Sequence, residues 1–565
     1  MLKQFRTASA PLAIIAAASA LSACTTMEPA QTNAETGAQA SVASERLHNL
    51  FEASSAAELE RDPVSAFLRG DFTNADRLGD YSPAAFAAER AAAQADLATL
   101  ATIERSVLSQ TDAIAYDTFK FAQQRNLAET APEILRTRLA LPIDHFSGLH
   151  TQYPILSVPG AFAPFQTMQD YDNNIARHRE LAKIIDQSIA RFDIGVEQGI
   201  TLPALSVEIM ISQLDTVLNA PDDQNPYFAP LADMPDSFSD DDRATATANL
   251  GQAVSGTLMP ALAKLRAYLA EDYLPNARDT IAATATPGGE AYYKYRIEEM
   301  TTLPLTADEI HQTGLAEVAR ISAALDVARQ EADGRTGETY ETKAELQEAW
   351  YETAALVDPH LDRLFLRQPE TPLRIEPYEP YREAYSLAAS YFPGDAETMR
   401  PGTFFFSGYN VAERALGTSV SLYMHEGNPG HHFQIMFAYE NENIPDFMRY
   451  DGYTSFTEGW GLYAEHLGYE VGLYDDPVER MKYLGGGELL RAVRLVVDTG
   501  MHAKGWSRER AIEYMVEHGI ERDFAETETA RYIVMPGQAL AYKIGELKIK
   551  ELRAEAEAAL GDSFD

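Results

Sequence analysis

A single cysteine, Cys24, is present among the 565 residues of the chain, so no disulfide can form within it. The folded part must therefore be stable without cross-links. About 520 residues remain after the N-terminal segments, enough for one large domain or for two to three smaller ones. We find no internal repeat, and we interpret residues 44–565 as one unit in which the Pro- and Asp-rich segment 220–242 is a long surface loop or a boundary.

The N-terminal segment has the pattern of an export signal. Two positive charges precede an apolar stretch at residues 10–21, which is shorter than the about 20 residues that cross a bilayer. The stretch ends in Leu21-Ser-Ala-Cys24, which resembles the lipobox of bacterial lipoproteins, where the chain is cut before the cysteine and the thiol receives a diacylglycerol. An ordinary cleavage site with a chance cysteine is the alternative. We predict a signal peptide over residues 1–23 and lipid attachment at Cys24.

Residues 24–43 are predicted to be a flexible tether between the lipid and the folded part, because they lack aromatic residues and apolar periodicity. Residue 25 is Thr and not the Asp that retains lipoproteins in the inner membrane of enteric bacteria. We therefore expect an exported, lipid-anchored protein of a bacterial envelope, held by the outer membrane and facing the periplasm.

The charge of the chain restricts its partners. It contains 85 Asp and Glu against 46 Lys and Arg, a net charge of -39. Nucleic acid is not an expected partner, because phosphate binding needs clustered positive charge. Solubility in a crowded compartment is the simplest interpretation of this charge. The oligomeric state stays open.

Local signals predict a mainly α fold with a small β-sheet near the candidate site and a deep cleft. Thr306-Ala-Asp-Glu309 is a capping box that is followed by apolar residues at helical spacing. Strand-forming residues are fewer, and they occur in Pro372–Glu376 and Thr403–Ser407. Both segments lie just upstream of a histidine-rich region.

Five of the 12 histidines lie between residues 425 and 502, and three of them occur in Met424-His-Glu-Gly-Asn-Pro-Gly-His-His-Phe433. Many metallopeptidases use H-E-x-x-H, in which two histidines one helical turn apart bind zinc and the Glu acts as general base. Here His425 and His431 would point about 240° apart on a regular helix, and His432 would lie about 10.5 Å from His425 along the axis. A regular helix therefore cannot form the site.

Pro429-Gly430 offers an interruption of the helix. Proline clashes with the carbonyl group four residues back, and glycine tolerates unusual torsions. If two residues bulge out here, His431 takes the place of the second histidine, with His432 as the competing ligand. In the simpler alternative, Pro-Gly ends one helix and the histidines cap or pack the next one.

Two glutamates follow on a second segment, Phe456-Thr-Glu-Gly-Trp-Gly-Leu-Tyr-Ala-Glu-His466. Glu458 could complete a His2Glu zinc site whose fourth position is left to water. Glu465 could orient a ligand histidine from outside the coordination sphere. A solvated face of a helix is the alternative for both residues.

These two segments resemble the signatures of a bacterial family known as domain of unknown function 885. Residues 494–506, 531–545 and 295–321 are similar to the family pattern as well. Families of this kind are grouped with the gluzincin zinc metallopeptidases. The resemblance implies a large helical metallopeptidase fold, one Zn2+ ion and hydrolysis of peptide bonds. It also implies that His425, His431 and Glu458 are zinc ligands and that Glu426 is the general base.

The remaining catalytic needs are an oxyanion donor and groups that bind the substrate. Tyr532, Tyr542 and His502 are candidate donors because they lie in the matching C-terminal segments, although the tyrosines could serve packing alone. The candidates for binding a substrate carboxylate or backbone are Arg491, Arg494, Arg531, Lys543 and Gln538. The arginines could instead neutralise local carboxylates.

The predicted function is therefore hydrolysis of short peptides by an exopeptidase or dipeptidase, with the recognised end of the peptide left open. Two other functions remain: a non-catalytic peptide-binding lipoprotein of the envelope, and a zinc hydrolase that acts on non-peptide esters or amides. The intact Glu426 favours catalysis, since a pure binding protein needs no general base.

Overall fold

The computed structural model of the chain describes residues 29–159, 163–378, 383 and 388–564. The predicted signal peptide and Cys24 therefore lie outside the described residues. Within these ranges, no helix combines the length and the apolar character that crossing a membrane requires. The architecture is mainly α with one small sheet, as the sequence predicted.

The N-terminal half is helical and surrounds a core rich in aromatic residues, in which Tyr153, Phe192, Tyr227 and Tyr273 are fully buried. Its helices are α1 (Pro29–Arg61), α2 (Pro63–Leu68), α3 (Pro83–Leu100), α4 (Gln110–Glu129), α5 (Pro132–Ala140), α6 (Leu149–Gln152), α7 (Met168–Gln198), α8 (Ala204–Leu218), α9 (Asp240–Ala253), α10 (Met259–Tyr268) and α11 (Gly289–Thr301). A π-helical segment, Val254–Leu258, joins α9 to α10.

The first helix begins earlier than the sequence predicted. Residues 29–43, which we expected in the flexible tether, belong to α1. Their Ala, Gln and Glu residues have high helix propensity, so the lack of apolar periodicity does not prevent a helix here. Ala43 and Leu47 are already buried in a small core that also contains Phe51, Phe119 and Phe447. The rings of Phe51 and Phe447 lie 4.8 Å apart and attach α1 to the C-terminal half.

The C-terminal half contains the helices α12 (Ala307–Ala332), α13 (Lys343–Val357), α14 (Leu361–Leu364), α15 (Val420–Glu426), α16 (His431–Tyr439), α17 (Asp446–Tyr450), α18 (Thr454–Val471), α19 (Pro477–Lys482), α20 (Leu490–Ala503), α21 (Arg508–Glu517), α22 (Arg522–Val534) and α23 (Ala541–Leu560). Helix α12 starts at the predicted capping box, where the Thr306 side chain accepts from the Glu309 backbone N–H. A π-helical segment, Tyr483–Leu489, joins α19 to α20. Helices α12, α18 and α20 contribute to a second large core.

Helices α18 and α23 cross at very close range. A Cβ atom at Gly545 of α23 would lie 2.0 Å from the carbonyl oxygen of Ser455 on α18, so only glycine fits at this crossing. The close approach brings the beginning of α23 next to the part of α18 that carries Glu458.

The sheet has three strands in the order β1-β3-β2, with β1 at Leu373–Pro377, β2 at Ala389–Phe392 and β3 at Gly402–Phe406. Strands β1 and β3 are parallel and pair Leu373 with Gly402, and β2 runs antiparallel to β3. Both predicted strands are therefore confirmed within about one residue, the usual uncertainty of element ends. Phe404 of β3 packs against Trp350 of α13, with ring centroids 4.9 Å apart, and against Tyr423 of α15 at 6.2 Å. The sheet thus supports the helix that carries His425.

Candidate metal centre

The histidine-rich segment forms two short helices instead of one bulged helix. Helix α15 ends at Glu426, and α16 begins at His431. A Cβ atom at Gly430 would lie 1.9 Å from the carbonyl oxygen of His425, so the chain can turn back this closely only with glycine. The indole Nε1 of Trp460 on α18 donates to the carbonyl oxygen of Pro429 at 2.8 Å and holds the connection in place. The predicted interruption is present, but it is a break between helices.

This break brings His425, His431 and Glu458 together. The Nε2 atoms of both histidines lie 3.5 Å from Oε2 of Glu458, and one ligand atom from each residue lies within 4.8 Å of the others. His425 and His431 are buried, and the Glu458 side chain is 21% exposed. A Cβ atom at Gly461, one turn after Glu458 on α18, would lie 2.7 Å from Cε1 of His425. The glycine therefore leaves the space that the His425 ring occupies.

The distances fit a zinc ion. Zinc binds nitrogen and carboxylate oxygen at about 2.0–2.2 Å in a tetrahedral arrangement, which separates two ligand atoms by about 3.4 Å. The observed 3.5 Å from Glu458 to each histidine agrees with this separation. Two imidazoles and one carboxylate are also the donor set of catalytic zinc sites that leave the fourth position to water.

Glu465 holds the ring of His425 in the orientation that a metal ligand needs. The Nδ1–H of His425 donates to Oε1 of Glu465 at 2.8 Å, so that the other ring nitrogen, Nε2, faces Glu458. Glu465 is itself fully buried, accepts a hydrogen bond from the Ser421 hydroxyl, and faces Arg491 at 3.8 Å. Glu465 therefore contacts His425 as an orienting residue would, and its role stays a prediction.

The acid–base properties of the group follow from its burial and its pairing. Burial by itself would lower the pKa of His425, but hydrogen bonds to Glu458 and Glu465 outweigh it and raise the pKa to about 9. Burial would likewise raise the pKa of Glu458, yet contacts with His425 and His431 hold this pKa well below its usual value. Glu458 is therefore a carboxylate, the form in which it can bind a cation.

His432 points elsewhere. Its Nε2–H donates to the carbonyl oxygen of Thr371 at 3.1 Å, and its Nδ1 accepts from the Tyr391 hydroxyl at 3.0 Å. Both ring nitrogens are thus occupied, and burial lowers the pKa of His432 to about 4. Nδ1 of His431, by contrast, has no hydrogen-bond partner among the described residues, while its Nε2 faces Glu458. Of the two candidates, the structure brings His431 to the group.

Glu426 is the last residue of α15 and adjoins His425. It is partly exposed, unlike its buried neighbour. No hydrogen bond or ion pair joins its carboxylate to any residue in the described parts of the chain. A carboxylate without such a partner can accept a proton from water, as the predicted general base must.

The three candidate oxyanion donors have different surroundings. The Tyr542 ring stacks on the His425 ring, with centroids 6.5 Å apart and planes at 19°. Its hydroxyl accepts from Arg531 and from Gln538, so its own proton is not used in these bonds. The Tyr532 hydroxyl donates to Glu528 and accepts from Arg494 at 2.8 Å, and it is buried. Tyr542 is therefore the better placed of the two tyrosines.

His502 does not serve as an oxyanion donor in this arrangement. Its Nδ1 accepts from the backbone N–H of Ala283 at 3.0 Å, and its Nε2–H donates to the carbonyl oxygen of Tyr532 at 3.0 Å. The side chain is fully buried, and burial lowers its pKa. His502 thus ties α20 to α22 and to the segment before α11, which contradicts its predicted role.

The predicted substrate-binding arginines gather around Tyr542. Arg494 Nη2 donates to Glu528 at 2.7 Å, and Arg531 Nη2 donates to the Gln538 side chain at 2.7 Å and to the Tyr542 hydroxyl at 3.2 Å. Both arginines hold the pKa of the buried Glu528 down at about 2, although burial alone would raise it. Gln538 is buried and is engaged by Arg531. These polar groups therefore lie around Tyr542, whose ring faces His425, and their role in substrate binding stays a prediction.

Lys543 was predicted to bind substrate, and the structure places it elsewhere. Its ammonium group is fully buried and pairs with Glu546 at 2.6 Å, Glu488 at 3.2 Å and Glu317 at 3.3 Å. A lysine surrounded by three carboxylates has no position left for a substrate. The prediction fails because Glu317 and Glu488 come from segments that are distant in sequence.

The chain matches a protein family over residues 63–565, most of its length. That family is described as "Bacterial protein of unknown function (DUF885)". The chain belongs to this family. The comparison with curated proteins found no significant match.

Two solved structures share the fold. A candidate lipoprotein from Colwellia psychrerythraea is 25% identical, with a TM-score of 0.83 over 93% of this chain and 94% of that one. A candidate lipoprotein of unknown function from Shewanella oneidensis is 18% identical, with a TM-score of 0.67 over 92% of this chain and 95% of that one. The fold thus extends over nearly the whole length of both neighbours.

Two further residues, Ser421 and Glu528, belong to the site and were not predicted from the sequence. Ser421 donates to Glu465 and lies one turn before His425 on α15. Glu528 pairs with both Arg494 and Arg531. Glu528 precedes Arg531 by three positions, a spacing at which charged residues meet on a helix, so this pair could have been found from the sequence. The contact with Arg494 joins two helices and has no local signal.

Proposed function

We propose that this protein is a zinc-dependent peptidase of the bacterial cell envelope that hydrolyses peptide bonds in short peptides. The single observation that carries the proposal is the 3.5 Å distance from Glu458 to each of His425 and His431, the separation expected for ligands of one zinc ion. The carboxylate of Glu465 on the outer nitrogen of His425 supports the same interpretation.

When bound, zinc would supply Lewis acidity, which makes a bound water acidic and polarises a carbonyl group. Glu426 accepts the proton of the attacking water and delivers it to the leaving amine. The hydroxyl of Tyr542, whose proton is free, donates to the oxyanion that develops on the substrate. Glu465 keeps His425 in the orientation and tautomer of a ligand.

The location in the envelope rests on the N-terminal segment and on the neighbours. Leu21-Ser-Ala-Cys24 has the form of a lipoprotein processing site, and both structural neighbours are described as candidate lipoproteins. A diacylglycerol on Cys24 would anchor the enzyme to the membrane, with the outer membrane and the periplasm as the proposed location. Short peptides in that compartment are the proposed substrates.

The decisive experiment measures metal content and cleavage together. The purified protein is analysed for zinc and incubated with a defined set of peptides, and the products are identified by mass spectrometry with and without a zinc chelator. Cleavage that stops with the chelator and returns with added zinc would support the peptidase.

Two other outcomes point to the other functions. Protein that holds one zinc ion but cleaves no peptide would favour a hydrolase of non-peptide esters or amides, which a panel of such substrates would detect. Protein that binds peptides with no zinc would favour a non-catalytic binding lipoprotein.

A further inference from the structure

Three guanidinium groups surround Tyr542 beside the candidate metal centre. The Cζ atom of Arg494 lies 4.6 Å from the centre of the Tyr542 ring and that of Arg491 lies 5.8 Å from it. Arg531 donates to the hydroxyl of the same tyrosine at 3.2 Å. Since the Tyr542 ring also stacks on His425, these cations lie one side chain away from the ligand histidine.

The positive charge of this group exceeds the negative charge that faces it. Arg494 and Arg531 share the single carboxylate of Glu528, at 2.7 Å and 3.4 Å. Arg491 has Glu465 at 3.8 Å, and that carboxylate already accepts from His425. Three guanidinium groups thus face two carboxylates in a chain whose net charge is -39. The local excess of positive charge would attract an anion.

Each of the three arginines also has a buried donor without an acceptor. These atoms are Nη1 of Arg494, Nε of Arg531 and Nε of Arg491, judged against the described part of the chain. Arg494 is only 5% exposed and Arg531 only 7%. Leaving a charged donor buried without a partner is energetically costly. A carboxylate from a ligand would supply the missing acceptors, and the planar fork of arginine matches it.

The distance between the arginines and the metal centre limits the length of a peptide segment that could contact both. The Arg494 guanidinium is linked to the His425 ring through Tyr542 by contacts of 4.6 and 6.5 Å, so the two groups are at most about 11 Å apart. An extended chain covers about 3.3–3.6 Å per residue. No more than about three residues fit between a scissile bond at the metal and a carboxylate at the arginines.

From these observations we propose that Arg494 and Arg531, with Arg491 beside them, form a subsite for the free C-terminal carboxylate of a substrate peptide. The enzyme would then release a short C-terminal fragment of one to three residues. This inference rests on the proposed peptidase function and specifies the end of the peptide that is recognised.

The first test compares two substrates that differ only at the C-terminus. Two peptides with the same sequence and an acetylated amino terminus are used, one with a free C-terminal carboxylate and one with an amide. We expect kcat/KM for the amide to be about 10–100-fold lower, because one charge-assisted contact to a buried guanidinium is lost. Equal cleavage of both peptides would overturn the subsite.

The second test measures binding without catalysis and without metal, so that the carboxylate cannot bind zinc instead. Metal-free protein is titrated calorimetrically with an N-acetylated dipeptide as the acid and as the amide. Tighter binding of the acid by about 10-fold or more supports the subsite even if no peptide is ever cleaved. Equal binding of acid and amide refutes it even if cleavage is observed. The fate of the subsite is therefore separate from that of the peptidase.

Variants locate the effect. Arg531→Lys keeps a positive charge near Glu528 but removes the planar fork, and it should reduce the preference for the acid over the amide by about 10-fold. Arg329→Gln on α12 is the matched control, since its exposed side chain pairs only with Asp326 among described residues. Thermal unfolding of both variants shows whether they are folded. If the folded Arg531→Lys protein kept the full preference for the acid over the amide, the C-terminal carboxylate of the peptide would have to bind at another site.

Discussion

Two adjacent residues of helix α23, Tyr542 and Lys543, contact two different groups of buried polar side chains. Tyr542 contacts the proposed metal centre, defined here as His425, His431 and Glu458. Lys543 belongs to a lysine cluster, defined here as Lys543, Lys550, Arg320, Glu317, Glu488 and Glu546. Two neighbouring residues of α23 thus belong to different groups. The metal centre contains an unpaired polar atom, whereas the charges of the lysine cluster pair with one another.

The two groups differ in how their polar atoms are paired. In the lysine cluster, three cations face three carboxylates, and the central Lys543 and Glu546 are fully buried, while Arg320 at the edge is exposed to solvent. In the metal centre, Nδ1 of His431 has no partner in the described structure, and the Glu458 side chain is 21% exposed. Removing one partner from a balanced group with a buried centre destabilises the native state, whereas a group with an unpaired polar atom and a partly exposed carboxylate is suited to bind a ligand.

The largest effect is expected from the neighbouring histidines of α16. His431→Asn removes one of the three proposed ligands, so zinc affinity should fall by more than the about 100-fold that the loss of an outer partner costs. His432→Asn should retain zinc, because His432 bonds Thr371 and Tyr391 instead. Zinc per molecule after dialysis, measured by plasma mass spectrometry, checks both variants. Loss of zinc in His432→Asn with retention in His431→Asn would reverse the assignment.

Substitution of Glu426, the proposed general base, should lower activity without loss of zinc. Glu426→Gln keeps the size of the side chain but cannot accept the proton of water, so kcat should fall by about 10²–10⁴-fold. Zinc content and the unfolding temperature should be unchanged, because the Glu426 side chain has no hydrogen bond or ion pair in the described structure. Steady-state cleavage of a peptide substrate gives kcat and KM. Retained activity would remove Glu426 from the mechanism.

The lysine cluster should show the opposite pattern. Lys543→Met leaves buried carboxylates without their central cation, and the free energy of unfolding should fall by about 3–5 kcal/mol. Zinc per molecule in the protein that remains folded should not change. Denaturant unfolding gives the first quantity and metal analysis the second. A variant that loses zinc but keeps its stability would show that the two groups are not separate.

The same variant has an expected pH dependence. Burial, with the neighbouring Glu488, raises the pKa of Glu546, while Lys543 lowers it. Without Lys543 this pKa rises further, so the folded variant takes up a proton more readily than the unfolded chain does. A raised carboxyl pKa in the folded state favours folding at low pH, and the loss of stability should therefore be smaller at pH 5 than at pH 8.

The sequence was informative where the relevant contacts are local. The capping box at Thr306 and the two strands were predicted from neighbouring residues and are confirmed. Pro429-Gly430 gave the physical reason for choosing His431, although the sequence could not show that the helix breaks instead of bulging. The first part of helix α1, from Pro29 to residue 43, was not predicted. The absence of apolar periodicity favours a flexible tether, but it is weak evidence against a helix.

The failures occurred where partners are far apart in sequence. His502 accepts from Ala283 across a separation of 219 residues, and Lys543 meets Glu317 on another helix. Neither contact has a signal in the sequence around the residue itself. Tyr542 and Lys543 could not be distinguished from the sequence either, since only the crossing of α18 and α23 determines which of the two faces His425.

The smallest effect is expected from Glu465, which contacts a ligand but should not bind the metal. Glu465→Gln keeps an acceptor for the Nδ1–H of His425 at 2.8 Å but removes the negative charge. Zinc affinity should fall by about 10–100-fold, because the histidine becomes a weaker ligand. Glu470→Gln on the same helix is the matched control, since Glu470 pairs with Arg553 at the surface, and it should keep the wild-type affinity. Competition with a chromogenic chelator measures both variants. The contrary result is that Glu465→Gln destabilises the fold as strongly as Lys543→Met while zinc affinity stays unchanged. That result would show that Glu465 stabilises the fold and does not influence metal binding through His425.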